Sequence, residues 1–180
     1  MIKPKRGSRN SNSPKKGIKA LSPWRVKVYL SGYGITEEEI EVEKTALLKK
    51  FNLSRSYPTL LNDVVWNLLN KLTFNYAHDF QKLSSIHFTL GAFLEYEGQR
   101  RKMIIPQSLL ASKYQLLDLK ARGRDKVKCI SATKDKGACT SCAKMNNQVF
   151  PIYQIIKELP LPNKCSNKRC RCTYAEAFSQ

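Results

Sequence analysis

Cys139-Thr140-Ser141-Cys142 and Cys165-Ser166-Asn167-Lys168-Arg169-Cys170-Arg171-Cys172 govern how the C-terminal third of this chain can fold. As spacing they read C-x2-C-x22-C-x4-C-x-C. A C-x2-C step closes a turn in which both thiolates face one ion, and a later group completes a tetrahedral site by bringing the chain back. Four thiolates suffice and five are present. The expected ligands are Cys139, Cys142, Cys165 and Cys170, with Cys172 the rival for the fourth position. Cys-x-Cys neighbours fit one tetrahedron awkwardly, so one of Cys170 and Cys172 is expected to be spare. Cys129, ten residues upstream of Cys139, lies on an apparent strand and reads as buried rather than bound.

The stretch from 139 to 172 holds too little Leu, Ile and Val for a core of its own. A bound metal would supply the missing stability, because binding free energy becomes folding free energy. The expected cofactor is zinc in a structural role, since an all-Cys site is closed to substrate. An iron–sulfur cluster is a second candidate, because spacing alone does not type the ion. A redox C-x2-C would need a βαβ setting that the sequence lacks. His78 and His87 lie far upstream in a helical region and read as satisfied side chains.

Upstream of the cysteines the pattern is helical. Ser22-Pro23 reads as a cap and a first helical residue before a short helix over 24–30, although Val26, Val28 and Leu30 also suit a strand. Thr36 with Glu39 forms a capping box, predicting a helix over 36–51 with acids at its start and Lys49 and Lys50 at its end. Leu61, Val65, Leu68, Leu72 and Tyr76 mark the apolar stripe of a helix predicted from Pro58 to about Gln81. Leu83, Ile86, Leu90 and Phe93 form a second stripe that ends at Gly98. Pro106 opens another helix that runs to Ala121 and stops at Gly123. From Lys126 the texture changes. Val127–Ser131 alternates like a strand, Asn146-Asn147 reads as a turn, Tyr153–Leu159 as one or two helical turns, and Leu159-Pro160-Leu161-Pro162 as rigid and extended. The expected fold is mainly α: a disordered basic arm over 1–21, a helical bundle over 22–123, and a four-cysteine zinc module with short strands over 124–180.

The chain has 180 residues and a formal net charge of +18. Its excess is uneven. Residues 1–20 hold seven Lys or Arg and no acid, 21–98 hold eight basic and nine acidic residues, and 99–180 hold seventeen basic and five acidic. This asymmetry points to a polyanion. Lys3, Lys5, Arg6, Arg9, Lys15 and Lys16 form a basic arm suited to phosphate contacts without sequence readout. Arg122, Arg124, Lys126 and Lys128 alternate along the connector, and Lys164, Lys168, Arg169 and Arg171 are interleaved with the cysteines. Basic residues there also offset the charge of four thiolates around one divalent ion. Tyr153 and Tyr174 lie close enough to serve either as stacking surfaces or as core. No apolar run approaches the roughly 20 residues of a membrane span, and the amino terminus reads as no secretory signal. A cytoplasmic protein with reduced thiols is expected.

Cys139-Thr140-Ser141-Cys142, Asn147-Gln148-Val149-Phe150, Leu159-Pro160-Leu161-Pro162 and Cys170-Arg171-Cys172, in that order, resemble the C-terminal region of phage head-morphogenesis proteins of the Mu F type. The resemblance covers about the last quarter of the chain. It implies that Cys139, Cys142 and one of Cys170 and Cys172 are zinc-type ligands. This sequence lacks the family's His before Cys-Arg-Cys, and Cys165 stands near its place. Asn147-Gln148 replaces the family's Asp-Gly or Asn-Gly.

Three functions compete on these grounds. The first is a non-enzymatic, zinc-stabilised protein that binds DNA or RNA through its arm and its basic cysteine module. The second is a virion or head-assembly component, a part of a large assembly such as a virion or ribonucleoprotein, that contacts packaged genome. The third is a metal-dependent nuclease built on acids gathered by folding, among Asp63, Asp79, Glu95 and Glu97. No P-loop, dinucleotide fingerprint or nucleophile elbow is present to support other catalysis.

Overall fold

A computed structural model describes residues 17–132 and 138–177. The arm cations Lys3, Lys5, Arg6, Arg9, Lys15 and Lys16 lie outside the described residues. The elements run α1 (Pro23–Leu30), a 3-10 turn (Ser31–Tyr33), α2 (Glu37–Phe51), α3 (Leu60–Asn75), α4 (Phe80–Tyr96), α5 (Arg101–Ala121), β1 (Lys126–Ile130), α6 (Thr140–Lys144), β2 (Val149–Pro151), α7 (Ile152–Glu158), a helical turn (Pro160–Asn163) and β3 (Thr173–Glu176). The chain is mainly helical with one small antiparallel sheet in the order β2-β1-β3, as the patterning predicts. No helix of the described residues is long and apolar enough to cross a membrane.

The chain divides after Leu68 into two compact units, with α3 running from one into the other. In the first, Ser22 caps α1 and the predicted box caps α2. Thr36 Oγ1 accepts the Glu39 N–H at 3.2 Å, and the Glu39 carboxylate accepts the Thr36 N–H at 2.8 Å. Asn62, fully buried, fixes the segment that leads into α1. Its Oδ1 accepts the Leu21 N–H at 2.9 Å and its Nδ2 donates to the Lys19 carbonyl at 3.0 Å. Val26, Leu30, Leu47, Leu60, Val64 and Val65 form the core there.

The second unit runs from Leu69 through the sheet, and so spans position 123, where the composition changes. Two helix boundaries differ from the periodicity. The stripe predicted to reach Gln81 stops at Asn75, because Asp79 starts α4 by accepting the Lys82 N–H at 2.9 Å. The helix assigned to Pro106 begins at Arg101 and carries Pro106 inside. The missing proline N–H deprives only the Lys102 carbonyl, on an exposed turn where water can serve it. Gly98 and Gly123, at φ 81° and 77°, end α4 and α5 in the left-handed region that glycine enters freely. The Leu159–Pro162 step, expected to be extended, forms a helical turn in which Leu161 alone keeps extended angles (φ −100°, ψ 120°).

Alternation along β1 buries Val127 and Cys129 and turns Lys126 and Lys128 to the other face. The Asn146-Asn147 turn closes onto it. Asn146 Oδ1 accepts the Ser131 N–H at 2.9 Å, and the Asn147 N–H donates to the Cys129 carbonyl at 2.8 Å. Asn147 sits at φ 61°, a conformation that asparagine tolerates better than most residues. β3 has no clear sequence signal and pairs with the far edge of β1, Tyr174 opposite Cys129. Leu116 and Leu119 of α5 complete a core with Val127, Ile152, Ile155, Leu161, Tyr174 and all six cysteines. The module therefore borrows apolar surface from α5, which explains how so Leu-poor a stretch packs.

Candidate metal centre

Each cysteine reaches the centre from a different local device. Cys139 is the N-cap of α6 and Cys142 lies in its first turn, so a single helical turn turns both sulfurs to one side. Cys165 follows the Pro160–Asn163 turn, whose close is fixed by the Cys165 N–H donating to the Pro162 carbonyl at 3.0 Å. Cys170 and Cys172 lie just before β3. Both are buried while Arg171 between them is exposed. The sulfurs of Cys139, Cys142 and Cys165 lie within 4.8 Å of one another, as do those of Cys142, Cys170 and Cys172. Cys142 belongs to both groups.

The spacing fits a thiolate-bound ion. With Zn–S bonds of about 2.3 Å, the edge of a tetrahedron of sulfurs is about 3.8 Å. The Cys139–Cys165 and Cys142–Cys170 sulfur pairs stand at 3.9 Å each. All six cysteines are free thiols and all are buried. Cys129 is buried in the same core and belongs to neither group. Among the described residues, no His, Asp or Glu joins a group of three or more donors.

Burial keeps the inner thiols protonated unless a cation offsets their charge. Burial, then the charge of Cys170, pushes the Cys142 thiol up; burial also pushes the Cys170 thiol up, against an N–H bond from Cys172. Several thiolates cannot crowd into a dry pocket unaided, and a bound divalent ion removes that penalty by taking the thiols as thiolates outright. Cys139 differs. Burial opposes its ionisation, but bonds from Ser166 and Cys142 outweigh it and bring the thiol down to about 6. The Ser166 N–H lies 3.4 Å from the Cys139 sulfur and the Ala132 N–H 3.5 Å from that of Cys172. Cys129 is pushed up to about 11 by burial and by Cys172, which suits an inert core thiol.

No protein-family model matches this chain, and no curated protein or solved structure is found to be similar to it.

Two arginines clip the cysteine loop to the helices. Arg101, at the start of α5, donates to the Cys165 carbonyl through Nη2 and to the Asn167 carbonyl through Nε at 3.2 Å. Arg169, expected to face a nucleic acid, points inward instead. Its Nε donates to Glu95 at 2.8 Å, its guanidinium lies 4.9 Å from the Phe88 ring centre, and its side chain is only 12% exposed. Its stem passes over Gly91, where an added Cβ would already touch Arg169 Cδ at 3.6 Å. The reason is position: Arg169 falls between Cys165 and Cys170 on a loop that packs against α4. Arg122 pairs with Asp118 and Arg124 with Glu176. Lys126, Lys164, Lys168 and Arg171 are exposed and Lys128 is half-buried.

Sequence reasoning missed Arg101 and Gln115. The helix predicted to open at Pro106 in fact begins at Arg101, and that early start brings Arg101 to the cysteine loop. Gln115 lends its amide to the outer edge of β3. It donates to the Tyr174 carbonyl at 2.9 Å and accepts the Tyr174 N–H at 3.3 Å, which occupies an otherwise open strand edge. Tyr174 is core, and Tyr153 is exposed. His87 is buried against Gln107 and His78 is exposed. Of the acids considered for a nuclease, Asp79 caps α4 and Glu95 holds Arg169.

Proposed function

We propose that this chain is a non-enzymatic, zinc-stabilised protein that binds nucleic acid, with the cysteine centre holding a set of cations in a fixed array. The supporting observation is the inside–outside alternation around the cysteines. Cys165, Cys170 and Cys172 are buried and Arg169 packs on α4, while Lys164 just before them and Lys168 and Arg171 between them are exposed. On β1 the same alternation turns Lys126 and Lys128 away from Val127 and Cys129. Cations held on a metal-tied loop and a strand lose less freedom on meeting a phosphate backbone than cations on a loose chain. Their contacts release counterions and give affinity with little sequence readout. The donor set favours zinc, because buried thiolates at tetrahedral spacing suit it. The arm adds phosphate contacts of the same kind.

Fluorescence anisotropy of the full chain against single-stranded and duplex oligonucleotides over a salt series tests the reading. The logarithm of the binding constant should fall linearly with the logarithm of salt concentration. Lys126→Ala and Lys168→Ala should each lower that slope by about one and weaken all sequences alike. A slope that neither substitution moves rejects the proposed cation array.

A further inference from the structure

The five sulfurs fall into two groups of three rather than one group of four. Those of Cys139, Cys142 and Cys165 lie within 4.8 Å of one another, and so do those of Cys142, Cys170 and Cys172; among the described residues no four do. Each group contains one pair at 3.9 Å, Cys139–Cys165 in the first and Cys142–Cys170 in the second. Cys142, the shared member, is 0% exposed, and the other four range from 2% to 9%. Backbone donors follow the same division. The Ser166 N–H lies 3.4 Å from the Cys139 sulfur in one group, and the Ala132 N–H lies 3.5 Å from the Cys172 sulfur in the other. Among the described residues no backbone N–H donates to the Cys142 sulfur.

We propose that this core holds two divalent ions of the zinc kind, one on Cys139, Cys142 and Cys165 and the other on Cys142, Cys170 and Cys172, with the Cys142 thiolate bridging them. The inference rests on the metal reading above, deepens it, and is separable from nucleic-acid binding. Cys142 suits the bridging place. A thiolate shared by two cations has its charge offset on both sides, whereas a terminal thiolate gains from an N–H donor, and the donors stand at one terminal sulfur of each group. Charge argues the same way. Five thiolates with two divalent ions carry one net negative charge; with a single ion they would carry three, in a core where uncompensated charge is costly. Three sulfurs leave each zinc-type ion one further position. The second group borders a cleft of about 370 Å³, which Cys170 and Cys172 line with Ser108, Ser112, Gln115 and Thr173, so water there can complete that ion's tetrahedron. Cys139, the most exposed of the five, is the corresponding point of access to the first.

The test counts ions on the full chain by native mass spectrometry after loading with zinc and removal of the excess. Wild type should carry two. Cys165→Ala and Cys172→Ala, each of which breaks one group, should carry one. Cys129→Ala, a change in the same core but in neither group, should keep both ions. Loaded with Co²⁺, wild type gives a readout that needs no variant. Two high-spin ions joined by one sulfur couple antiferromagnetically, so the electron paramagnetic resonance of the two-cobalt chain should be weaker than that of two isolated cobalt ions. One ion per wild-type chain at saturation overturns the two-ion core and leaves the metal reading standing. Two ions that Cys165→Ala or Cys172→Ala both retains overturn the assignment of the groups. A two-cobalt signal equal to that of isolated ions overturns the bridge. A wild-type chain that takes up no ion defeats the underlying metal reading and the two-ion core with it.

Discussion

The Tyr174 hydroxyl holds both polar groups of one buried residue. It accepts the Leu161 N–H and donates to the Leu161 carbonyl, each at 3.0 Å. That bond pair ties β3 to the turn that presents Cys165. Tyr174→Phe keeps the ring and leaves two buried backbone groups unpaired, so urea denaturation of the metal-loaded protein should show a loss of about 2 kcal/mol. At His87 the same principle becomes a pH dependence. Burial lowers its pKa from the usual 6.5, with a bond to Gln107 opposing the shift, and Nδ1 and Gln107 Oε1 lie 2.7 Å apart. Below pH 6.5 the unfolded chain binds a proton that the folded chain resists. This contribution to stability is complete above that pH and is lost as pH falls toward the folded value. The melting temperature should therefore drop between neutrality and mild acid, and His87→Gln should flatten the part of the drop that belongs to the imidazole. An unchanged profile in the variant contradicts the assignment.

At the scale of elements, local chemistry is readable wherever it is self-contained. Ser22, Thr36 with Glu39, Gly98 and Gly123 mark helix ends through bonds within a few residues, and each stands where the pattern predicts. Thr36→Ala should cost about 1 kcal/mol in thermal or urea unfolding, and Thr36→Ser should recover most of it. What escapes the sequence depends on partners far along the chain. β3 exists because β1 pairs with it on one side and the Gln115 amide on the other, a separation of almost sixty residues that no local pattern carries. The start of α5 is hidden because Pro106 is a good first residue, whereas the turn before it is held by tertiary contacts such as those of Arg101. Arg169 reads as a surface cation until α4 supplies Glu95 and Phe88. The cysteine centre is legible as a group because C-x2-C geometry is local; the choice between Cys170 and Cys172 is not, because both are buried on the same short segment before β3.

At the scale of the whole molecule, the cysteines lie inside a core rather than beside it. Cys142, Cys165 and Cys170 pack with Ile152, Ile155, Leu161 and Tyr174 and with Leu116 and Leu119 of α5. If an ion is held there, removing it leaves several thiols together in a buried core, and the sheet has only three short strands to resist. Structural zinc in small modules contributes roughly 10 kcal/mol or more of apparent binding free energy, comparable to the whole stability of a domain. Chelation should therefore be felt first where the core depends on the centre. Hydrogen exchange should show amides of β1, β3 and α7 losing protection when a strong chelator strips the loaded chain. Amides of α1 and α2, whose caps and core lie in the first unit, should keep theirs. If stripping leaves the β1–β3 amides as protected as before, the apolar contacts of α5 hold the module alone, and the ion is a passenger rather than a structural member.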